Sequence, residues 1–152
     1  MKTTKKYGQK IDDALSLWVK LTRAYLTISK KVSENVKSFN LTEPQFGALE
    51  CLGHLGPMTI GSLCSKQLVS GGNMTLVIDN LEKEGLAERI HSKEDRRTIV
   101  VRLTPKGEEL FNSIFTRHAE FISELTSVLS KEEISVLSAL LKKLGTSINS
   151  DS

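Results

Sequence analysis

Two short polar segments carry the side chains best suited to bind a polyanion. In Ser70-Gly71-Gly72-Asn73-Met74-Thr75, small residues stand beside hydroxyl and amide groups that can meet base edges or phosphate oxygens. In Asp95-Arg96-Arg97, two neighbouring guanidinium groups lie within a polar, charged run that begins at His91. An arginine on a protruding loop can enter a minor groove, where negative potential is concentrated. An ordinary charged loop is the alternative interpretation of the second segment.

Positive charge is concentrated locally, although the net charge of the chain is only +3. Between Arg89 and Lys106 there are six basic residues and two acidic ones, and between Lys2 and Lys37 nine basic residues and three acidic ones. Such clusters attract polyanions even when the whole chain is nearly neutral. Two solvated charged faces would give the same counts, so charge alone leaves both interpretations open.

Helix-capping residues mark where the first helices that must position these segments begin. Thr42 and Gln45 have the spacing of a capping box at a helix start. The residues from Gly53 to Pro57 are expected to break that helix, and Thr59 is placed to cap a short second helix. The pattern therefore predicts two helices in succession ahead of the first polar segment.

The region after the second helix predicts a turn, a third helix and a hairpin. Ser70-Gly71-Gly72 is typical of a turn, and a helix is expected from Asn73 to a left-handed residue at Gly85. The hydrophobic period then changes to two. One strand is expected at Leu86–Ile90, and the buried face of a second at Ile99, Val101 and Leu103. The charged run lies between them, which makes it the tip of a β-hairpin wing on a helix-turn-helix.

Long amphipathic helices flank this central region. One is predicted at residues 10–38, one from Thr104-Pro105 onward, and one at residues 131–148 with Ser130 and Glu133 as its capping box. Helices of this length bury their apolar stripes only against other helices, so we expect the three to come together in an antiparallel or intersubunit bundle. A monomeric helical bundle is the alternative. The predicted class is mainly α with a small β-hairpin wing.

Several short motifs occur in a fixed order along the chain: Leu41-Thr42, Gln45-Phe46, Leu49, Asn73-Met74-Thr75, Leu81-Glu82-Lys83-Glu84-Gly85-Leu86, Asp95-Arg96-Arg97 and Leu103-Thr104-Pro105-Lys106-Gly107. In this order and spacing they resemble the multiple antibiotic resistance regulator (MarR) family. The resemblance implies a single domain over residues 1–152, with dimerisation helices at 10–39 and 105–148 and a DNA-binding winged helix-turn-helix at 42–103. It also implies a homodimer, most often a repressor, on a palindromic double-stranded operator with half-sites about one helical turn apart.

The resemblance assigns roles to individual residues. It places a recognition helix in the major groove, and it places Arg97 in the minor groove with Asp95 as its structural partner, paired with a neighbouring arginine. Lys93 and Arg96 are expected to contact phosphates. The recognition-helix positions are Ser70, Gly71, Gly72, Asn73 and Thr75.

Members of the family are commonly released from DNA by a small aromatic ligand or an oxidant, and the pattern resembles the quinone- and catechol-responsive branch. The candidate lining residues of an effector pocket are Trp18, Tyr25, Phe46, Leu49, His54 and Phe115, with ordinary core packing as the alternative. Cys51 and Cys64 are the candidate redox residues. Both fall on apolar helix faces, where a thiol tends to be inert unless a positive charge lowers its pKa.

Other classes of protein are disfavoured. Gly71-Gly72 lacks a following Lys-Ser/Thr pair and no nucleophile motif is visible, so we expect no enzyme and no cofactor. His54, His91 and His118 are scattered, so we expect no metal. No secretory signal or membrane-spanning stretch is expected, which favours the cytoplasm and its nucleoid. A winged-helix module that binds protein instead of DNA is the remaining alternative, and Arg96 and Arg97 favour DNA.

Overall fold

In the computed structural model, residues 6–67, 71–92 and 95–149 are described, and this part of the chain forms six helices and one two-stranded sheet. The elements are α1 (Gln9–Lys37), α2 (Glu43–Leu55), α3 (Ile60–Gln67), α4 (Gly71–Lys83), β1 (Ala87–His91), β2 (Ile99–Leu103), α5 (Pro105–Thr126) and α6 (Lys131–Asn149). The predicted class, mainly α with a β-hairpin, is confirmed. The chain divides into two compact units, Met1–His118 and Ala119–Ser152.

The predicted capping boxes are present at two helix starts. At α2, the backbone N–H of Thr42 donates to the Gln45 side chain at 3.0 Å, and the Gln45 N–H donates to the Thr42 hydroxyl at 3.4 Å. At α6, the Ser130 N–H donates to the Glu133 carboxylate at 2.8 Å, and the Glu133 N–H donates to the Ser130 hydroxyl at 3.2 Å. These bonds satisfy N–H groups that have no partner within the helix.

The core of the first unit unites α2, α3, α4 and the hairpin, with α1 and α5 packed against it. Its largest fully buried side chains are Val36, Leu49, Leu63, Met74, Ile78, Leu81 and Val101. Gly107 brings the first turn of α5 against the backbone that joins α4 to β1, because a Cβ there would overlap the Leu86 carbonyl oxygen. This core packs α4 and the hairpin against each other.

The hairpin is antiparallel, with Ala87 opposite Leu103 at its base and His91 opposite Ile99 near its tip. Val101 and Leu103 are buried as predicted, but the expectation for Ile99 was wrong, since its side chain is 52% exposed. Ile99 lies at the loop end of the hairpin, whereas Val101 also pairs with Met58 ahead of α3. The wing therefore extends beyond the core.

The glycines correct one further prediction and confirm two. Gly71 and Gly72 lie in the first turn of α4 and do not have positive φ, so the predicted turn over them was wrong. The predicted helix break between Gly53 and Pro57 is confirmed, since α2 ends at Leu55 and Gly56 follows with φ +78°. Gly53 itself lies within α2, and a Cβ on it would lie 2.5 Å from the Phe111 ring, so this glycine permits close packing. The left-handed residue after α4 is confirmed at Gly85, with φ +71°.

Candidate nucleic-acid interface

The α4 helix presents a polar face that begins at its N-terminus. Gly71, Gly72, Asn73 and Thr75 are exposed on it. The opposite face is buried in the core through Met74, Val77, Ile78 and Leu81. Packing of the apolar face thus determines which side chains of α4 point away from the protein.

Hydrogen bonding on this face leaves groups available for a ligand. Within the described residues the Asn73 amide makes no hydrogen bond, so its donor and acceptor atoms are both available. The Thr75 hydroxyl donates to the Gly71 carbonyl at 3.0 Å, which leaves the hydroxyl oxygen as an acceptor. A Cβ on Gly71 or Gly72 would meet nothing within 4 Å, so the backbone here can be approached closely.

An ion-pair cluster joins α4 to the wing. The Arg89 guanidinium on β1 donates to Asp79 at 2.8 Å and also pairs with Glu82, both on α4. The Arg89 backbone N–H donates to the same Glu82 carboxylate at 2.8 Å. Charge counting in the sequence placed Arg89 among the basic residues that could attract a polyanion, but two carboxylates neutralise it. The sequence signal that was missed is the pair of acidic residues Asp79 and Glu82, which are three positions apart and therefore lie on one face of α4.

Two other basic residues between Arg89 and Lys106 also have partners within the protein. The Arg102 guanidinium pairs with Glu88 across the hairpin at 2.8 Å, and Lys106 donates to the Glu84 carbonyl oxygen at 2.7 Å. By contrast, Arg96 and Arg97 are exposed, and their guanidinium groups form no ion pair in the part of the chain that the structure describes. The positive charge available on the wing is therefore concentrated at its tip.

Asp95 shapes the tip of the wing through the backbone. One of its carboxylate oxygens accepts from the Arg97 backbone N–H and the other from the Thr98 hydroxyl, both at 2.9 Å. The bond from Arg97, followed by that from Thr98, lowers the pKa of the Asp95 carboxyl below its usual value. Asp95 was expected to pair with a neighbouring arginine, and its contact with Arg97 is through the main-chain N–H and not through the guanidinium. The guanidinium of Arg97 is left for other contacts.

The predicted site residues Ser70 and Lys93 lie outside the described residues. The other residues that were predicted to contact DNA lie on α4 and at the wing tip, and they all belong to the first compact unit. The Arg89 cluster connects the two elements that carry them.

A row of aromatic rings lies within the first unit between α2 and α5. His54 meets Phe115 edge-on at 4.3 Å between ring centroids, and Phe46 lies 4.6 Å from His118. Phe111 lies 5.0 Å from His54. Three of the predicted pocket residues therefore come together. Phe111 and His118 were missed, although 111, 115 and 118 have the spacing of one helix face.

The remaining predicted pocket residues are placed elsewhere. Leu49 is fully buried in the core, whereas Trp18 and Tyr25 are 64% and 65% exposed on α1. A cavity of about 510 Å³ adjoins the Phe111 ring and is bounded by the end of α2, the base of the hairpin and the first turns of α5. None of the six predicted residues lines this cavity.

His118 is buried, and its ring Nδ1 lies 2.7 Å from the side-chain oxygen of Asn35 on α1. An amide oxygen only accepts, so Nδ1 carries the proton in this bond. Burial lowers the pKa of His118, and the negative charge of Glu50 partly opposes the shift. Burial thus favours the neutral form of the ring.

Cys51 and Cys64 are half-buried free thiols. The Gln67 amide donates to the Cys51 sulfur at 3.1 Å and to the Gly47 carbonyl at 3.0 Å. Among the described residues, no group of histidine, cysteine and carboxylate side chains has the arrangement needed to hold a metal ion. No helix in this part of the chain is both long enough and apolar enough to cross a membrane.

Comparison with known proteins decides the family. Residues 41–99 match the MarR family model. Over 134 residues the chain is 36% identical to the HTH-type transcriptional regulator MhqR of Bacillus subtilis (strain 168), and the match covers 88% of this chain and 92% of that protein. The chain belongs to the MarR family. It is thus a helix-turn-helix DNA-binding transcription regulator.

Solved structures share the MarR fold. BldR from Sulfolobus solfataricus, a transcriptional regulator, has a TM-score of 0.75 and 28% identity, covering 91% of this chain and 99% of that chain. A mutant of MarR from Escherichia coli, solved in complex with operator DNA, has a TM-score of 0.74 and 23% identity, covering 90% of this chain and 99% of that chain.

Proposed function

We propose that two copies of this MarR-family chain bind one palindromic operator, with α4 in the major groove and the wing tip in the adjacent minor groove, and that this represses transcription. The observation that carries the proposal is the joining of a polar helix face to a basic wing tip. Asn73 lies on the first and Arg97 on the second, and Arg89 bridges α4 and the wing. The E. coli MarR mutant was solved in complex with operator DNA, which supports DNA binding by a chain of this fold.

The proposed contacts divide by chemistry. The Asn73 amide and the Thr75 oxygen meet base edges, while the exposed backbone at Gly71 and Gly72 allows α4 to approach the groove closely. Arg97 enters the minor groove and Arg96 contacts phosphate. Ser70 and Lys93 complete the proposed set on the basis of the family resemblance.

The apolar faces of α1 and α6 support a homodimer. On α1 the side chains of Ile11, Leu15, Trp18 and Tyr25 are exposed, and α6 exposes an apolar row of its own. Contiguous apolar surface of this kind is rare on soluble monomers. We propose that both faces are covered in the dimer, with Trp18 and Tyr25 as interface residues. The exposed row on α6 comprises Ile134, Val136, Leu137, Leu140, Leu141 and Leu144.

We propose that a small aromatic effector binds near the rings of Phe46, His54 and Phe115 and releases the DNA. Edge-to-face and offset ring contacts favour a flat aromatic ligand at such a site. An oxidant acting on Cys51 or Cys64 is the second route to release. Neither route requires catalysis or a cofactor, and we propose that the protein acts as a non-enzymatic regulator on cytoplasmic, nucleoid DNA.

Fluorescence anisotropy with a labelled mixed-sequence duplex tests DNA binding, followed by selection of preferred duplexes from a random pool. We expect affinity to fall steeply and linearly with salt on logarithmic axes, because basic side chains displace counterions. Preferred duplexes should be palindromic and bind more tightly than mixed sequence. Absent or salt-insensitive binding would instead favour a winged-helix module that binds protein.

A further inference from the structure

The DNA-facing side of α4 contains one large apolar side chain, that of Leu76. It is 58% exposed, although Val77 and Ile78 beside it are buried. Leu76 follows Gly72 by four residues and Asn73 by three, so the three positions share one helix face. The contact positions predicted on this face were polar residues and glycines, and Leu76 was not among them.

Exposed large apolar side chains are rare in this part of the first unit. Between α2 and β2, the described residues include only Leu55, Leu76 and Ile99 in this class. Isolated exposed leucines are ordinary on protein surfaces, so exposure alone has no functional meaning. What distinguishes Leu76 is its place beside Asn73, on the face proposed to enter the major groove.

The major groove contains one apolar group for such a side chain to meet, the C5-methyl group of thymine. Asn73 is suited to the N6 and N7 atoms of adenine. Three residues of α-helix advance about 4.5 Å along the axis, close to the rise of one base pair. The two side chains can therefore address neighbouring base pairs. Gly72, which has no side chain, leaves the space one turn before Leu76 open.

We propose that Leu76 is a specificity-determining residue that packs against a thymine methyl group next to the base pair contacted by Asn73. The inference rests on the proposed function, since it requires α4 to enter the groove. It adds a requirement for thymine at a defined position of each half-site. Cytosine lacks the methyl group, so a C·G pair there leaves the Leu76 side chain facing polar atoms.

Replacing thymine by deoxyuridine removes only the methyl group and keeps the hydrogen-bonding pattern of the base pair. A duplex selected by the wild-type protein is prepared with each thymine of a half-site replaced in turn. We expect one position to weaken binding about fourfold in one half-site, and about fifteenfold when both half-sites are changed, as for loss of one buried methyl group per site. Anisotropy titration at fixed salt measures the affinities.

Three variants assign the effect to a residue. Leu76→Ala should bind the thymine duplex more weakly and should not distinguish it from the deoxyuridine duplex. Leu55→Ala is the matched control, because Leu55 is also 58% exposed but belongs to α2 and not to α4, and it should retain the wild-type discrimination. Thr75→Ser removes the other methyl group on this face and should also retain it. Thermal unfolding verifies that each variant is folded.

The possible results separate this inference from the proposed function. Tight, salt-dependent binding of a selected duplex without sensitivity to deoxyuridine would overturn the role of Leu76 and leave the proposed function intact. Sensitivity that survives in Leu76→Ala, or that is lost only in Thr75→Ser, would also overturn it. A selected consensus with no thymine in its half-sites would do the same. Binding to no duplex at all would overturn the proposed function and this inference together.

Discussion

The Arg89 guanidinium on β1 and the Asp79 carboxylate on α4 form an ion pair with 2.8 Å between nitrogen and oxygen. Glu82, one turn further along α4, pairs with the same guanidinium and also accepts from the Arg89 backbone N–H. Both carboxylates are partly exposed, and ion pairs of this kind contribute little to folding, about 0–1 kcal/mol. We therefore propose that the main effect of the cluster is to fix the angle between α4 and the wing.

Arg89→Met tests this positioning role. It keeps much of the aliphatic stem but leaves Asp79 and Glu82 uncompensated near the DNA. We expect affinity for a selected duplex to fall about tenfold or more, while the free energy of unfolding falls by about 1 kcal/mol or less. Anisotropy and urea unfolding measure the two effects. Arg102→Met, which breaks the pair with Glu88 at the hairpin base, is the control and should change affinity less. Equal losses in both variants would contradict a specific role for Arg89.

Arg97→Ala should weaken binding to every duplex and remove preference at the operator flanks, without affecting the dimer. The wing keeps its shape because the contact of Asp95 is with the Arg97 backbone N–H, which alanine retains. Each subunit loses one positive charge that lies close to the phosphates in the proposed complex. The slope of log affinity against log salt should therefore decrease by about 1 for each half-site. Salt titrations and analytical ultracentrifugation provide the measurements. Operator affinity equal to that of the wild type would remove the wing from the mechanism.

Gly107→Ala should destabilise the fold. The new Cβ would overlap the Leu86 carbonyl oxygen, and backbone cannot move aside as a flexible side chain can. The expected loss is about 1–3 kcal/mol in the free energy of unfolding, as for other overpacked sites. Gly61→Ala is the matched control, because its nearest neighbour is the Thr59 hydroxyl at an ordinary 3.8 Å. Urea unfolding at one protein concentration compares them, and equal stability of the two variants would disprove the close approach of α5 to this backbone.

Protonation of His118 should lower the free energy of unfolding in mild acid. Burial lowers its pKa below the ordinary 6.5, so the unfolded chain takes up the proton first. The stability contribution is complete above about pH 6.5 and decreases as the pH falls below that value. Urea unfolding from pH 8 to pH 5 should show a shallower decline for His118→Gln than for the wild type. Glu50→Gln should make the decline steeper, because Glu50 raises the pKa of His118. Parallel pH profiles for all three proteins would contradict this prediction.

Features that depend on near neighbours in sequence were predictable. The capping boxes at Thr42 and Ser130 and the left-handed Gly85 each depend on residues within one turn, and the structure confirms all three. The family resemblance and the element order also gave the correct class of fold. Local patterns were sufficient here because capping and turn geometry are decided by adjacent backbone groups.

Features that depend on distant residues were not predictable. The close packing of Gly53 against the Phe111 ring, 58 positions away, was not visible in the pattern. Ile99 fits a buried alternation that the core does not reach, and Arg89 looked like a free cation until α4 and β1 were brought together. Such cases follow from tertiary packing, which a single sequence does not reveal.

The spacing of half-sites tests the central claim most directly, namely that two joined copies place their recognition helices on one face of the duplex. A selected palindrome is compared with the same duplex carrying about five extra base pairs at its centre, which moves one half-site by about half a turn. We predict that anisotropy will show affinity reduced to that of mixed-sequence DNA, with two chains bound to each uninterrupted duplex. Unchanged affinity after the insertion, or one chain per palindrome, would contradict the claim.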